Sequence, residues 1–294
     1  MAEAFVGENL TAPLQASQAT TQALVIRIRP SRGWVSLDLH NLWEYRELLY
    51  FLVWRDVKVR YKQTVLGVAW VALQPLATTL IFTVIFGNLA KIPSENLPYA
   101  VFAMAGLLPW NYFAGAFSRG GQSLVGSAHL ISKVYFPRMI IPIASIAAGL
   151  VDFVIVLLLL IALMLFFGIT PTAAIVTLPL FLLLAIATAL GVSLWLSALN
   201  VQYRDVGYLI PFVSQFWMYA TPVVYPASLI HEQWRLLYAL NPMTGVVEGF
   251  RWALFGTGQA PGALLSVSVG IVLVLLAGGA FFFKRMEDTF ADVV

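Results

Sequence analysis

The stretch RDVKVRYK, residues 55–62, carries four cations, Arg55, Lys58, Arg60 and Lys62, and runs within a few residues into an almost wholly apolar segment. Guanidinium and ammonium groups so placed can hold anionic lipid headgroups, but they make and break no bonds by themselves. Few other side chains offer chemistry. Cysteine is absent, which excludes disulfides, thiol catalysis and Cys-based metal sites. No G-x-x-x-x-G-K-[ST] string occurs, so the chain lacks a phosphate cradle for a nucleotide. His129 has no second metal ligand nearby, and the acids are scattered rather than clustered in loops. Asp152 is the one ionisable side chain well inside an apolar run. A charge at the centre of a bilayer costs about 2.5–3.5 kcal/mol on insertion scales. A proton- or sodium-driven carrier normally needs several such groups or paired broken helices, and no internal repeat is visible. Helix packing or water contact suits Asp152 at least as well as ion coupling.

The elements that must position these residues are membrane helices. Of 294 residues, 60% are hydrophobic and only 11% charged, with mean hydropathy +0.85, against about 25% charged in soluble domains. Six runs approach the roughly 20 residues needed to cross a hydrocarbon core: 66–89, 97–117, 139–167, 173–199, 206–224 and 263–283. The second contains Pro109, and the fifth is short and holds Pro211. The expected fold is therefore an all-α polytopic membrane protein, with a six-span transmembrane domain over 63–285. Residues 1–40, with the Ala/Thr/Gln-rich TAPLQASQATTQA, read as a disordered cytosolic tail without signal-peptide organisation. Residues 41–62 predict an amphipathic interface helix. Glu44, Glu47, Arg55, Lys58 and Lys62 follow one side, and Leu42, Tyr45, Leu49, Leu52 and Val53 lie roughly opposite. Residues 286–294 form a short C-terminal tail.

Charge then orients the spans. Of 17 lysines and arginines, all but Lys91, Arg235 and Arg251 fall on one side of the alternating segments. The positive-inside rule places that side, with both termini, in the cytosol. The basic pI of about 9.2 thus reflects membrane orientation and not nucleic-acid binding. The cluster at residues 55–62 is at minimum a topological anchor, and in a sharper reading also a docking surface for a cytosolic partner. In the inner segment 119–138, Gly120–Gly121 predicts a hinge, 122–133 a short helix, and Pro137 its end. Arg204 and Asp205, in the next inner turn, suit loop-stabilising ion pairs or minor contacts with a cytosolic partner. In the outer segment, Asn241 is a good N-cap, Pro242 suits the first helical position, and Gly256 suits the end. A helix over 242–255 is about 21 Å long, too short to cross. Preceded by a second one near 227–239, it predicts a re-entrant pair over 226–256. Glu248 and Arg251 are spaced to pair on one face of it.

RDVKVRYKQTVLGVAWVALQPL, GLLPWNYFAGAF, LISKVYFPRMIIPIA, NVQYRDVGYLIPFVSQFWMYATPVVYP and LNPMTGVVEGFRWALFG together resemble the permease subunit of type-2 ABC exporters. The resemblance is nearest to the branch exporting O-antigen polysaccharides and teichoic acids, and it covers about residues 42–284. Thr221 stands where that family often has serine. It implies a non-enzymatic transport subunit of the bacterial inner membrane, working as a homodimer with two copies of a cytosolic ATPase. ATP and magnesium would sit on that partner, and this chain would hold no cofactor. The family's coupling role carries over to His129, Leu130, Ile131, Lys133 and Tyr135, with Arg55 and Lys58 beside them. Its periplasmic gate helices correspond to 226–256, with Asn241, Pro242, Glu248 and Arg251. Its cargo, a polysaccharide on undecaprenyl pyrophosphate, gives Arg60, Lys62, Arg119 and Arg138 a role in holding the pyrophosphate. Aromatic faces can receive successive sugar rings without an exact hydrogen-bond pattern, which points to Trp110, Phe113, Phe117, Phe216 and Tyr219 as the conduit. A permease for a drug or lipid, or an integral-membrane glycosyltransferase on a polyprenyl carrier, are the alternatives.

Overall fold

A computed structural model describes residues 39–62, 67–257 and 262–290. The N-terminal tail expected over 1–40 therefore lies outside the described residues, apart from its last two, as do residues 291–294 of the C-terminal tail. Among the described residues every regular element is helical.

The expected interface helix is two pieces, α1 (Leu39–Glu44) and α2 (Arg46–Lys62), broken at Tyr45. Its apolar side faces protein: Leu52 is buried against Ile140 and Ala144, with Leu42, Leu49 and Val53 around it. Next, α3 (Gly67–Phe82) continues into a π-helical segment, Thr83–Leu89. The bundle is organised around α4 (Tyr99–Gly126), whose 28 residues extend about 42 Å. Most of α4 from Tyr99 to Phe117 is buried. After it come α5 (Ala128–Ile131), α6 (Ile140–Ala148) and α7 (Leu150–Phe166), the last two joined at Gly149. The chain then forms α8 (Leu178–Gln202), α9 (Val206–Tyr219), α10 (Glu232–Ala239), α11 (Pro242–Phe255) and α12 (Ala263–Met286).

Among the described residues, five helical stretches are long and apolar enough to cross a membrane: Gly67–Leu89, Tyr99–Gly126, Ile140–Phe166, Ala173–Gln202 and Leu265–Met286. The remaining expected run, 206–224, is helical only through the 14 residues of α9. That is about 21 Å, short of a hydrocarbon core of about 30 Å. Yet the run lies antiparallel along α4. Ile210 packs where Gly121 leaves room, the Trp217 ring lies 5.0 Å from that of Phe113, and the Val223 carbonyl sits beside Gly106. From Gly121 to Gly106 that is about 22 Å of α4.

The expected hinge at Gly120–Gly121 is not one, because α4 runs through it unbroken to Gly126. A Cβ at Gly120 would lie 2.4 Å from Ser193 Oγ, and one at Gly121 would lie 2.9 Å from Ile210 Cδ1. The two glycines admit α8 and α9 to the helix surface. The helix expected over 122–133 is accordingly split between the end of α4 and the four-residue α5.

Close approach also joins α8 to α12. A Cβ at Gly279 would stand 2.6 Å from the Gly191 carbonyl oxygen, and Trp195 stacks on Phe282 at 4.5 Å. Membrane helices associate through such small-residue contacts because lipid supplies no hydrophobic drive between them. Gly279→Val should therefore force the two backbones apart and destabilise the protein by about 1–3 kcal/mol or more. Thermal unfolding in detergent should show a lowered midpoint, whereas Gly270→Ala, where an added Cβ meets nothing within 4 Å, should barely move it.

Candidate functional site

At one end of the bundle, the chain leaves α9 and runs without a regular helix from Ala220 to Pro226. Such a stretch exposes carbonyls that lipid cannot satisfy. Three side chains take them up. Asn241 Nδ2 donates to the Ala220 carbonyl at 3.2 Å and to Thr221 Oγ1 at 2.9 Å. Arg251 Nη1 donates to the Pro222 carbonyl at 2.7 Å and to that of Tyr225 at 3.3 Å, and its Nη2 donates to the Val223 carbonyl at 2.5 Å. The Tyr99 hydroxyl donates to the Val224 carbonyl at 2.6 Å.

Local sequence explains how these groups arrive. Asn241 caps α11 by accepting the Met243 N–H at 3.1 Å, Pro242 occupies the first turn, and Gly256 ends the helix in the left-handed conformation at φ 69°. Asn241 Oδ1 also accepts from Trp217 Nε1 at 2.9 Å, binding the start of α11 to the last turn of α9. Arg251 is 1% exposed. It pairs with Glu248 at 3.2 Å, as the i, i+3 spacing predicts, and its guanidinium carbon lies 3.8 Å from the Phe102 ring centroid. A Cβ at Gly106 would stand 2.7 Å from Arg251 Nη2, so glycine there makes room for the guanidinium. The far end of α11 is tied down by Thr172, whose hydroxyl donates to the Ala253 carbonyl at 2.9 Å. The helix expected over 227–239 is shorter, a single turn at Ala227–Leu229 followed by α10, because Ile230 and His231 are extended.

At the opposite end, α5 and the following turn display His129, Ser132, Lys133, Val134 and Tyr135, with Tyr135 75% exposed. Ile131 and Phe136 point inward to a cluster with Leu124, Phe283 and Phe290, so Ile131 is an anchor beneath this surface rather than part of it. Arg138 fastens the segment to the C-terminus. Its N–H donates to Glu287 Oε1 at 2.9 Å and its guanidinium to the Glu287 carbonyl, while Lys284 Nζ meets Glu287 Oε2 at 2.6 Å. On α2, Lys58 is exposed and Arg55 pairs with its neighbour Asp56 at 2.9 Å.

Of the four residues expected near a pyrophosphate, two share a site. Arg60 and Tyr61 both donate to the carboxylate of Asp152. Arg119 lies beside them, held between Gly115 and Gly149, where added Cβ atoms would come within 2.8 and 2.3 Å of its guanidinium. Burial, and then the hydrogen bond to Asp152, push the Tyr61 phenol up to about 12, so it remains a neutral donor. Lys62 is exposed at the end of α2, and Arg138 serves the C-terminal clamp. The expected conduit aromatics divide likewise. Trp110, Phe113 and Phe117 are buried in the core, where the rings of Phe113 and Phe117 meet Trp217 edge-on, whereas Phe216 and Tyr219 are 70% and 57% exposed on α9. Sequence reasoning missed Tyr99, Tyr61 and Glu287, which bind Val224, Asp152 and Arg138 respectively, each 91 or more positions away and beyond any local pattern.

The profile of the ABC-2 type transporter family matches residues 47–255, spanning both ends of this bundle. The chain belongs to that family. This ABC-2 permease is 31% identical over 260 residues to the O-antigen export system permease protein RfbA of Myxococcus xanthus, covering 87% of this chain and 98% of that one. It is 27% identical over 256 residues to the protein of the same name from Klebsiella pneumoniae, with 87% and 98% coverage. The polysialic acid transport protein KpsM of Escherichia coli matches at 25% over 242 residues, with 80% and 91% coverage.

The outer knot gives a clear ordering. Arg251→Met would leave Glu248 and at least three carbonyls without their donor and should cost about 3–5 kcal/mol. Glu248→Gln keeps the Arg251 contacts to the carbonyls and should cost less. Detergent unfolding of the two variants should reproduce that order; a Glu248→Gln loss exceeding that of Arg251→Met would contradict it.

Proposed function

We propose that this ABC-2 permease is the membrane pathway of an ATP-driven exporter for a polysaccharide carried on a polyprenyl pyrophosphate. One observation supports it above the others: the match to named O-antigen export permeases extends over 98% of their length. A drug- or lipid-exporting permease is the second reading, since the exposed aromatic rings of α9 would suit an apolar cargo as well.

In this reading the bacterial inner membrane is crossed six times. The stretch 206–224 makes the fifth crossing with 14 helical residues and an extended end, and Arg251, Asn241 and Tyr99 satisfy that end. Both termini are cytosolic, and α10 with α11 forms a re-entrant outer gate. Two copies build the pathway, because the exposed aromatic face of α9 (Phe212, Phe216 and Tyr219) gains a second wall only from another molecule. Phe216 and Tyr219 then meet the sugar rings, while Trp110, Phe113 and Phe117 brace α9 from behind. ATP and magnesium bind to a separate cytosolic ATPase, one copy per permease. It docks on the surface made by His129, Leu130, Lys133 and Tyr135, with Lys58 and Arg55 beside it. Thrust on this surface passes through Ile131 and Phe136 to α4.

Tyr135 is the large exposed aromatic of that surface, so Tyr135→Ala should weaken binding of the ATPase by about thirtyfold or more, as hot-spot truncations do. Titrating the purified permease with the partner ATPase and following nucleotide hydrolysis measures this. The permease alone should hydrolyse nothing. Unchanged affinity in Tyr135→Ala, or turnover without the partner, would contradict the reading.

A further inference from the structure

Two guanidinium groups, those of Arg60 and Arg119, lie near a single carboxylate, Asp152, among α2, α4 and α7, and only Arg60 pairs with it. Every hydrogen bond identified at that carboxylate comes from the α2 side, from Arg60 and Tyr61. Arg119 receives none of it, and its Nε is buried without a hydrogen-bond partner. The group is nonetheless deliberately housed: Gly115 and Gly149 are the residues that let the guanidinium lie flat against α4 and the α6–α7 junction. Arg119 stands seven residues, about 10 Å, from the end of α4 that carries the coupling segment. The place is not sealed, since the side chains of Arg60 and Asp152 are each 26% exposed.

An excess positive charge at membrane depth is expensive unless a counter-anion accompanies it. Guanidinium remains charged at all accessible pH, and its planar fork matches the oxygens of a phosphate. Of the two phenols nearby, Tyr61 donates to Asp152 and Tyr112 to the Ile146 carbonyl at 3.5 Å, so the guanidinium groups alone are left to meet an incoming anion.

We propose that Arg119 and Arg60 form a site for a lipid-borne phosphate group. In this site Asp152 is an internal stand-in that occupies Arg60 until the phosphate displaces it. The headgroup slides in beside α2 from the bilayer, its oxygens take the Arg119 fork, and Arg60 turns from the carboxylate to the ligand. Tyr61 remains on Asp152 and limits the repulsion between carboxylate and phosphate. The same chemistry could be supplied by a polyprenyl pyrophosphate or by an ordinary anionic phospholipid. The former source rests on the export reading above; the site itself does not.

Binding to the full-length permease in a phosphate-free detergent, without ATPase or glycan, tests the site. Native mass spectrometry would follow undecaprenyl pyrophosphate and phosphatidylglycerol in parallel. The expected result is that Arg119→Gln weakens binding about tenfold or more, Arg119→Lys keeps part of it, and Asp152→Asn strengthens it because a competitor is gone. That last sign distinguishes a displaceable stand-in from a merely structural ion pair, which would lose rather than gain on mutation. If phosphatidylglycerol follows the same pattern with equal affinity, the phosphate site stands and bulk lipid is its source. Preference for undecaprenyl pyrophosphate assigns the carrier. Equal binding by wild type and Arg119→Gln, or weaker binding by Asp152→Asn at an unchanged melting temperature, overturns the proposal. Either result leaves the permease reading intact, because that reading stands on transport and ATPase coupling.

Discussion

A backbone that stops being helical near lipid must find donors for its carbonyls, and this constraint shapes the end of the bundle where α9 stops. Between Ala220 and Tyr225 the carbonyls of Ala220, Pro222, Val223, Val224 and Tyr225 are met by Asn241, Arg251 and Tyr99, and that of Thr221 by the Val223 N–H. The helix α9 can end short of a full crossing only because these three side chains stand ready. Two of them come from the start and middle of α11, and the third from the first turn of α4. The turn, the outer helix and the central helix are therefore one mechanical unit. Gly106 belongs to it too, since a side chain there would expel the guanidinium.

The central helix carries that unit to the other end. α4 runs unbroken from Tyr99, in the outer knot, to Gly126, beside the exposed turn at 132–135. Along the way its glycines and aromatics seat α8, α9 and the Arg119 side chain. Its far end is buttressed by Phe136, Ile131 and the C-terminal Phe290, with Arg138 and Glu287 closing the ring. A displacement of the turn at 132–135 thus has a stiff path to the α9 break. The exposed face of α9 offers aromatic rings in the same unit, so movement of the break also moves those rings.

Much of this was legible in the sequence where the signal is local. The long apolar runs became helices, and Asn241, Pro242 and Gly256 bound α11 as their backbone preferences dictate. Glu248 and Arg251 paired because three residues of helix put them on one face. The misreadings share a cause. Gly120–Gly121 suggested a hinge by composition, but its meaning depends on what packs against it, and α8 and α9 come from 70 or more residues away. Asp152 does tie two helices together, but its partners Arg60 and Tyr61 lie 92 and 91 positions earlier and carry no local signal. Aromatic residues were counted together although burial separates Phe113 and Phe117 from Phe216 and Tyr219. The apolar run 206–224 has span-like composition, and only the packing reveals that its last residues leave the helix.

In the export reading proposed above, this short run nonetheless carries the chain from the face displaying residues 132–135 to the opposite face. The absence of cysteine makes a direct measurement clean. Single cysteines replacing Ser132 and His231, both outside the apolar spans, can be labelled in intact cells with a membrane-impermeant maleimide. Labelling is expected at position 231 from outside and at position 132 only after the membrane is opened. Labelling of both from the same side would mean that α9 does not cross, and would contradict it.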